Sequence, residues 1–262
     1  MRSTKVRDHD PDEEKMSKFS LSPVRAAGDA EGQSIRRMVY EQLREAIMSA
    51  ELLPGSSVSE NELATTLHVS RTPLREAIQR LRSEGLIRVV PQVGTFIEKL
   101  DLSHICEALF MREAVECAAM AKLGSTLPDG AIQGLEQIVA AHHRAIDNND
   151  AADTMMRDAE FHRALFSLAG VPGVWRYVIE AREMHRRVRI LSRAERRFDA
   201  ARRSANHHLE IVRELAAGRP DCAIAKLREH IRMNVQFAIE LAEMYPEYFT
   251  ESPPPNYYGQ RQ

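Results

Sequence analysis

Cysteine is scarce in this 262-residue chain: Cys106, Cys117 and Cys222 are the only three, with no C-x-x-C pair among them. That odd, unpaired set argues against a disulfide framework and fits a reducing cytoplasm. Long apolar runs are lacking too. No window reaches the roughly 18 consecutive apolar residues that span a bilayer, so no membrane partner is expected. Met1, Arg2 and the charged run to Lys15 have no apolar stretch behind them, so no secretory signal is expected. Nor is there an excess of one charge: 36 Lys and Arg stand against 38 Asp and Glu. Contact with a polyanion therefore needs a local basic patch. What the chain has is apolar residue, 44% of it, which excludes a wholly disordered protein.

The pattern along the chain changes once. Residues 1–33 are polar, of mixed charge and without periodicity, and read as a disordered tail. Residues 34–98 hold short helical segments followed by strand character. Residues 101–245 read as helix throughout, broken by turns at Leu127–Gly130, Gly170–Gly173 and Gly218–Pro220, which predicts six helices. Residues 246–262, with the Pro253-Pro254-Pro255 run, read as a flexible tail. The expected class is mainly α, a small N-terminal unit followed by an all-helical one.

In the first unit a helix is predicted from Ile35 to Leu52, with Ile35, Met38, Val39, Leu43, Ala46 and Ile47 on one face. Ser59, with Glu62 three residues later, is a capping-box start for a second helix ending near Leu67. Ser70 is placed to cap a third, with Pro73 tolerated in its first turn. On that helix Leu74, Ile78 and Leu81 point inward, while Arg71, Arg75 and Gln79 share another face with Arg82 close by. Two short helices with arginines on the second make the arrangement that enters a DNA major groove. Leu86–Val90 and Thr95–Ile97 around the turn Pro91–Gly94 predict a two-stranded wing. Five arginines against two glutamates between Ser70 and Ile97 supply the local positive surplus. An ordinary amphipathic helix with solvated arginines is the competing explanation.

The stretches Leu53–Ala64, Val69–Leu81, Glu84-Gly85-Leu86 and Gly94–Ile97 closely resemble the GntR family of winged-helix regulators. The resemblance implies a winged helix-turn-helix over 34–98 in which Ser70, Arg71, Thr72 and Arg75 contact operator DNA. It also implies that Gly94 lets the wing tip approach the minor groove. Asn61 stands where some members carry a DNA-contacting arginine.

In the helical unit, Asp158 and His162 lie i, i+4 on one helix, and His208 and His230 lie on two later ones. Three imidazoles and a carboxylate suit Zn²⁺ or a similar divalent ion with positions left open. Hydrogen-bonded core histidines are the alternative. Arg112–Glu116, Asp158–His162, the helix carrying His208, and Ala223–His230 look like the FCD effector domain of the FadR subfamily. That likeness implies a metal held by Asp158, His162, His208 and His230, zinc first with nickel or manganese as options, and a small organic acid bound nearby. His207 stands where the family carries Glu, so it is a rival for the second histidine. Arg112, from the likeness, and Arg186 and Arg189, from the Arg186–Arg189 run, are the candidates for holding the acid. The first helix of the unit, with Leu109, Met111 and Ala118, is a candidate homodimer seam.

Together these point to a cytoplasmic, ligand-responsive DNA-binding regulator, a repressor, on a near-palindromic double-stranded operator. A metal sensor using the same site and a helical metalloenzyme are the alternatives. The enzyme is disfavoured because neither a di-iron E-x-x-H pair nor H-E-x-x-H occurs.

Overall fold

The computed structural model describes residues 21–24, 31–124, 127–194 and 198–251. The chain divides into two compact units, Met1–Lys99 and Leu100–Gln262. The architecture is mainly α, a winged helix-turn-helix and a six-helix bundle.

The first unit runs α1 (Glu31–Met48), β1 (Ser57–Val58), α2 (Glu60–Leu67), α3 (Arg71–Ser83), β2 (Ile87–Val90) and β3 (Gly94–Ile97). Val39, Leu43 and Ile47 of α1 close over Leu63 and Leu67 of α2 and Leu74, Ile78 and Leu81 of α3, all buried. Each such side chain contributes about 1.5–3 kcal/mol. The Ser59 hydroxyl caps α2, accepting from the Glu62 N–H at 3.3 Å, whereas Ser70 begins α3 without a side-chain cap bond. Helix α1 starts earlier than periodicity predicts and stops at Met48, because Ala50 turns left-handed (φ 56°) and the Leu52 N–H folds back to Ala46.

Two expectations need correction. The wing has three strands, not two: β2 and β3 form the expected antiparallel hairpin, and β1 pairs with the other edge of β3, Ser57 opposite Phe96 and Val58 opposite Thr95. A two-residue strand is too short to show alternation in the sequence. Part of the expected N-terminal tail is docked as well. Leu21 and Val24 pack against the core, and the Val24 N–H donates to Leu67 at 3.0 Å. The rest of that expected tail, residues 1–20 and 25–30, lies outside the described residues. At the wing tip Gly94 has φ +153°, which side-chain-bearing residues rarely adopt.

The second unit contains α4 (Leu102–Met120), α5 (Ala131–Asp147), α6 (Ala151–Leu168), α7 (Trp175–Ala194), α8 (Phe198–Ala216) and α9 (Pro220–Met244). The Asp101 and Asp150 carboxylates cap α4 and α6 by accepting N–H groups of the first turn. Helix α4 packs on α7 and α9, α5 on α6 and α8, and α8 on α9, around Leu109, Phe161, Phe166, Ile211 and Ile231. No helix among the described residues is long and apolar enough to cross a membrane.

The expected flexible tail from 246 is also partly wrong. Pro246–Tyr248 forms a 3-10 turn, Tyr248 accepts from the Leu100 N–H, Thr250 donates back to Leu100, and Phe249 is buried. Tyr245 and Tyr248 stack at 5.7 Å, so aromatic burial carries the chain past the last helix. Residues 252–262 lie outside the described residues. The expected seam on α4 fails for Leu109, which is wholly buried in the bundle; Met111 is half-buried, and Ala118 is exposed together with His104, Glu107, Phe110 and Ala114.

Candidate nucleic-acid interface and metal centre

Helix α3 presents Arg71, Thr72, Arg75, Gln79 and Arg82 to solvent, opposite its buried Leu74, Ile78 and Leu81. The arginines of this region divide by what they touch. Arg80 lies over the Tyr40 ring at 3.7 Å and pairs with Glu84, and Arg88 pairs with Glu98, so both brace the unit. Arg75 is held loosely by Glu60 at 3.4 Å, and Glu60 also accepts from the Thr95 hydroxyl of β3. Arg71 and Arg82 make no ion pair among the described residues. Ser70, with its hydroxyl not spent on the cap, Asn61 and Gly94 are exposed. Three guanidinium groups are thus presented on one face of a short rigid helix, matched to phosphate or guanine edges.

The helical unit brings Asp158 and His162 of α6, His208 of α8 and His230 of α9 together. One ligand atom from each lies within 4.8 Å of the others, and all four residues are buried. His207 is half-buried, its ring 6.0 Å from that of His230, and lines a surface groove with Arg228, Arg232 and Met233 instead. Among the described residues, His162 Nε2, both nitrogens of His208 and Nδ1 of His230 are buried without a hydrogen-bond partner. Buried polar atoms are ordinarily paired, so this convergence of unpartnered imidazole nitrogens, one lone pair from each neutral ring, fits a cation.

Asp158 is tethered on its other side. Its Oδ2 accepts from Arg182 Nη2 and, at 2.8 Å, from Arg189 Nη1, and its Oδ1 accepts from the Ser204 hydroxyl at 3.0 Å, with His208 Nε2 at 3.8 Å. Burial alone would raise the Asp158 pKa, but Arg189 and Arg182 outweigh it and hold the carboxyl well below the ordinary range. Behind His162 stands Glu116 of α4, whose Oε2 is 2.5 Å from Nδ1 and whose Oε1 accepts from Arg112 Nε at 2.7 Å. Burial opposes the Glu116 charge, yet Arg112 and His162 keep its pKa below the usual value.

Of the three arginines expected to hold an acid, Arg112 and Arg189 are at this centre, while Arg186 pairs with Glu183 at 3.7 Å. Sequence reasoning missed Arg182, Glu116 and the buried His185. Arg182, His185 and Arg189 follow an i, i+3, i+7 spacing, and Arg112 and Glu116 an i, i+4 one; both were readable as shared faces.

Two family profiles cover most of this geometry: "Bacterial regulatory proteins, gntR family" over residues 35–97, and "FCD domain" over 107–233. An HTH-type transcriptional regulator from an unstable DNA locus of Streptomyces ambofaciens is 33% identical, over 77% of this chain and 84% of its own length. The chain belongs to the GntR family, with an FCD domain. The HTH-type transcriptional repressor RspR of Escherichia coli K12 is 26% identical over 84% of this GntR chain and 95% of its own. A GntR transcriptional regulator from Rhodococcus sp. RHA1 shares the fold, with TM-score 0.61 and 23% identity over 79% of this chain and 98% of that one. This GntR protein is therefore a transcription regulator and not an enzyme.

The metal-free GntR regulator should be acid-sensitive. Burial is the first cause depressing the folded pKa values of His162, His185, His208 and His230, with neighbouring cations or imidazoles adding to it. In the unfolded chain imidazoles titrate near 6.5. Below that value the unfolded state binds the extra protons, so stability falls with pH, by up to ~1.4 kcal/mol per pH unit for each histidine. Urea midpoints of the metal-free protein should drop between about pH 7 and 5. A flat profile there would contradict neutral, buried imidazoles.

Proposed function

We propose that the regulator is a repressor which binds a near-palindromic operator as a homodimer and is released by a small organic acid bound beside a divalent ion. Repression is the activity in the name of the E. coli relative. The DNA contacts fall to Ser70, Arg71, Thr72 and Arg75 of the α3 segment, with Asn61 and the Gly94 wing tip at its borders. The exposed α4 face with Phe110, Ala114 and Ala118 is where a second copy would pack. The site of action is the cytoplasm, where the duplex is.

The observation that carries the ligand reading is the charge balance of the buried centre. The buried guanidinium groups of Arg112 and Arg182 stand beside the two buried carboxylates of Asp158 and Glu116, with the half-buried Arg189 at the border and neutral imidazoles between. A divalent ion held by Asp158, His162, His208 and His230 would add two positive charges to that balance, and buried charge of one sign requires a counter-ion. Such an ion supplies Lewis acidity and open positions that a carboxylate can occupy. Zinc suits the three-imidazole, one-carboxylate set, and nickel or manganese could share it.

The test is operator binding by fluorescence anisotropy, with Zn²⁺ and a panel of carboxylic acids added singly and together. An acid active only with metal present should weaken binding by about tenfold or more, a coupling of ~1.4 kcal/mol or above. Release by chelation alone would make the ion itself the signal. Indifference of operator binding to every combination would end the proposal.

A further inference from the structure

We infer that Glu116 is a positioning residue for the proposed metal centre: it holds His162 as the Nδ1–H tautomer, so that the Nε2 lone pair faces Asp158, His208 and His230. This rests on the metal reading above.

Glu116 and His162 come from different helices, α4 and α6, and both are buried to 2% exposure or less. The Glu116 carboxylate is shared: Oε1 accepts from Arg112 Nε at 2.7 Å, and Oε2 sits 2.5 Å from His162 Nδ1. A carboxylate beside a guanidinium only accepts, so the proton between Oε2 and Nδ1 belongs to the imidazole. A neutral imidazole has one N–H, which leaves Nε2 as a bare lone pair, and that atom is buried with no hydrogen-bond partner among the described residues. Backing of an imidazole by a carboxylate also strengthens it as a ligand. Asp158 does not do this work for His162: its oxygens accept from Arg182, Arg189 and Ser204, while His162 Nδ1 meets Glu116.

Glu116→Gln gives a sharp consequence. Arg112 Nε–H still needs the side-chain oxygen, so the amide NH₂ turns toward His162 and donates to Nδ1. The imidazole proton then moves to Nε2 and blocks the atom that would hold metal.

The experiment uses the full chain, labelled with ¹⁵N in histidine and stripped of metal, and reads imidazole tautomers by long-range ¹H–¹⁵N NMR, with His162→Asn assigning the signal. Wild type should show His162 protonated on Nδ1, and Glu116→Gln should show it protonated on Nε2. Zn²⁺ competition against a chromophoric chelator should show an affinity loss of roughly 10- to 100-fold in Glu116→Gln. Glu116→Asp keeps a carboxylate and should keep the wild-type tautomer, which preserves the test if the Gln variant does not fold. An Nε2–H tautomer in metal-free wild type overturns the inference, as does a Glu116→Gln protein with unchanged tautomer and Zn²⁺ affinity. Wild type with the Nδ1–H tautomer but no Zn²⁺ uptake overturns the metal reading, and the positioning role with it.

Discussion

Asp158→Ala is expected to destabilise the protein by about 3–5 kcal/mol, the usual consequence of removing one partner from a buried charge network. The carboxylate accepts from two guanidinium groups and a serine hydroxyl, and Arg182 is itself 7% exposed. Without Asp158 the Arg182 charge stays buried with its acceptor gone, which costs more than the lost bonds. Asp158→Asn separates the two parts: the amide oxygen still accepts, but the charge is lost. Urea denaturation of the metal-free proteins should rank wild type above Asn and Asn above Ala. Zn²⁺ should raise the midpoint of wild type only, since stabilisation by a ligand requires binding to the folded form. Equal stability of Ala variant and wild type would mean that the arginines are not anchored at this carboxylate.

Arg71→Ala is expected to weaken operator binding roughly 5- to 150-fold, the ~1–3 kcal/mol of one lost bidentate base contact. Arg71 is exposed and makes no ion pair among the described residues, so folding stability should change by no more than about 0.5 kcal/mol. Binding to random duplex separates the kinds of contact. A base-reading arginine loses affinity for the cognate site alone; a phosphate-binding one loses it everywhere and lowers the salt slope by about one. Arg80→Ala is the control. Its guanidinium covers Tyr40 and pairs with Glu84, so it should reduce stability and leave sequence preference intact. Full operator affinity in Arg71→Ala would remove α3 from the interface.

Much of this was legible because it is local. Ser59 and Glu62, Leu74 and Ile78, and Asp158 and His162 are neighbours along a helix, and helical periodicity places them on shared faces without tertiary knowledge. The convergence of α8 and α9 on Asp158 came from resemblance, since spacing cannot say which helices meet. What stayed hidden depends on partners distant in sequence. Glu116 touches His162 across 46 positions, and Arg182 reaches Asp158 across 24. Strand β1 is defined only by β3, and Phe249 only by Leu100. The burial of Leu109 stays hidden for a related reason: an Ala-rich helix does not reveal which side faces the core.

The bridge between Leu100 and Phe249 means that the helical unit is entered and left at neighbouring points, joined by hydrogen bonds of 2.9 Å on either side. Segments with adjacent ends can be spliced into a host loop, or rejoined by a short linker and reopened elsewhere. The helical half of this regulator is thereby suited to grafting as a portable cassette.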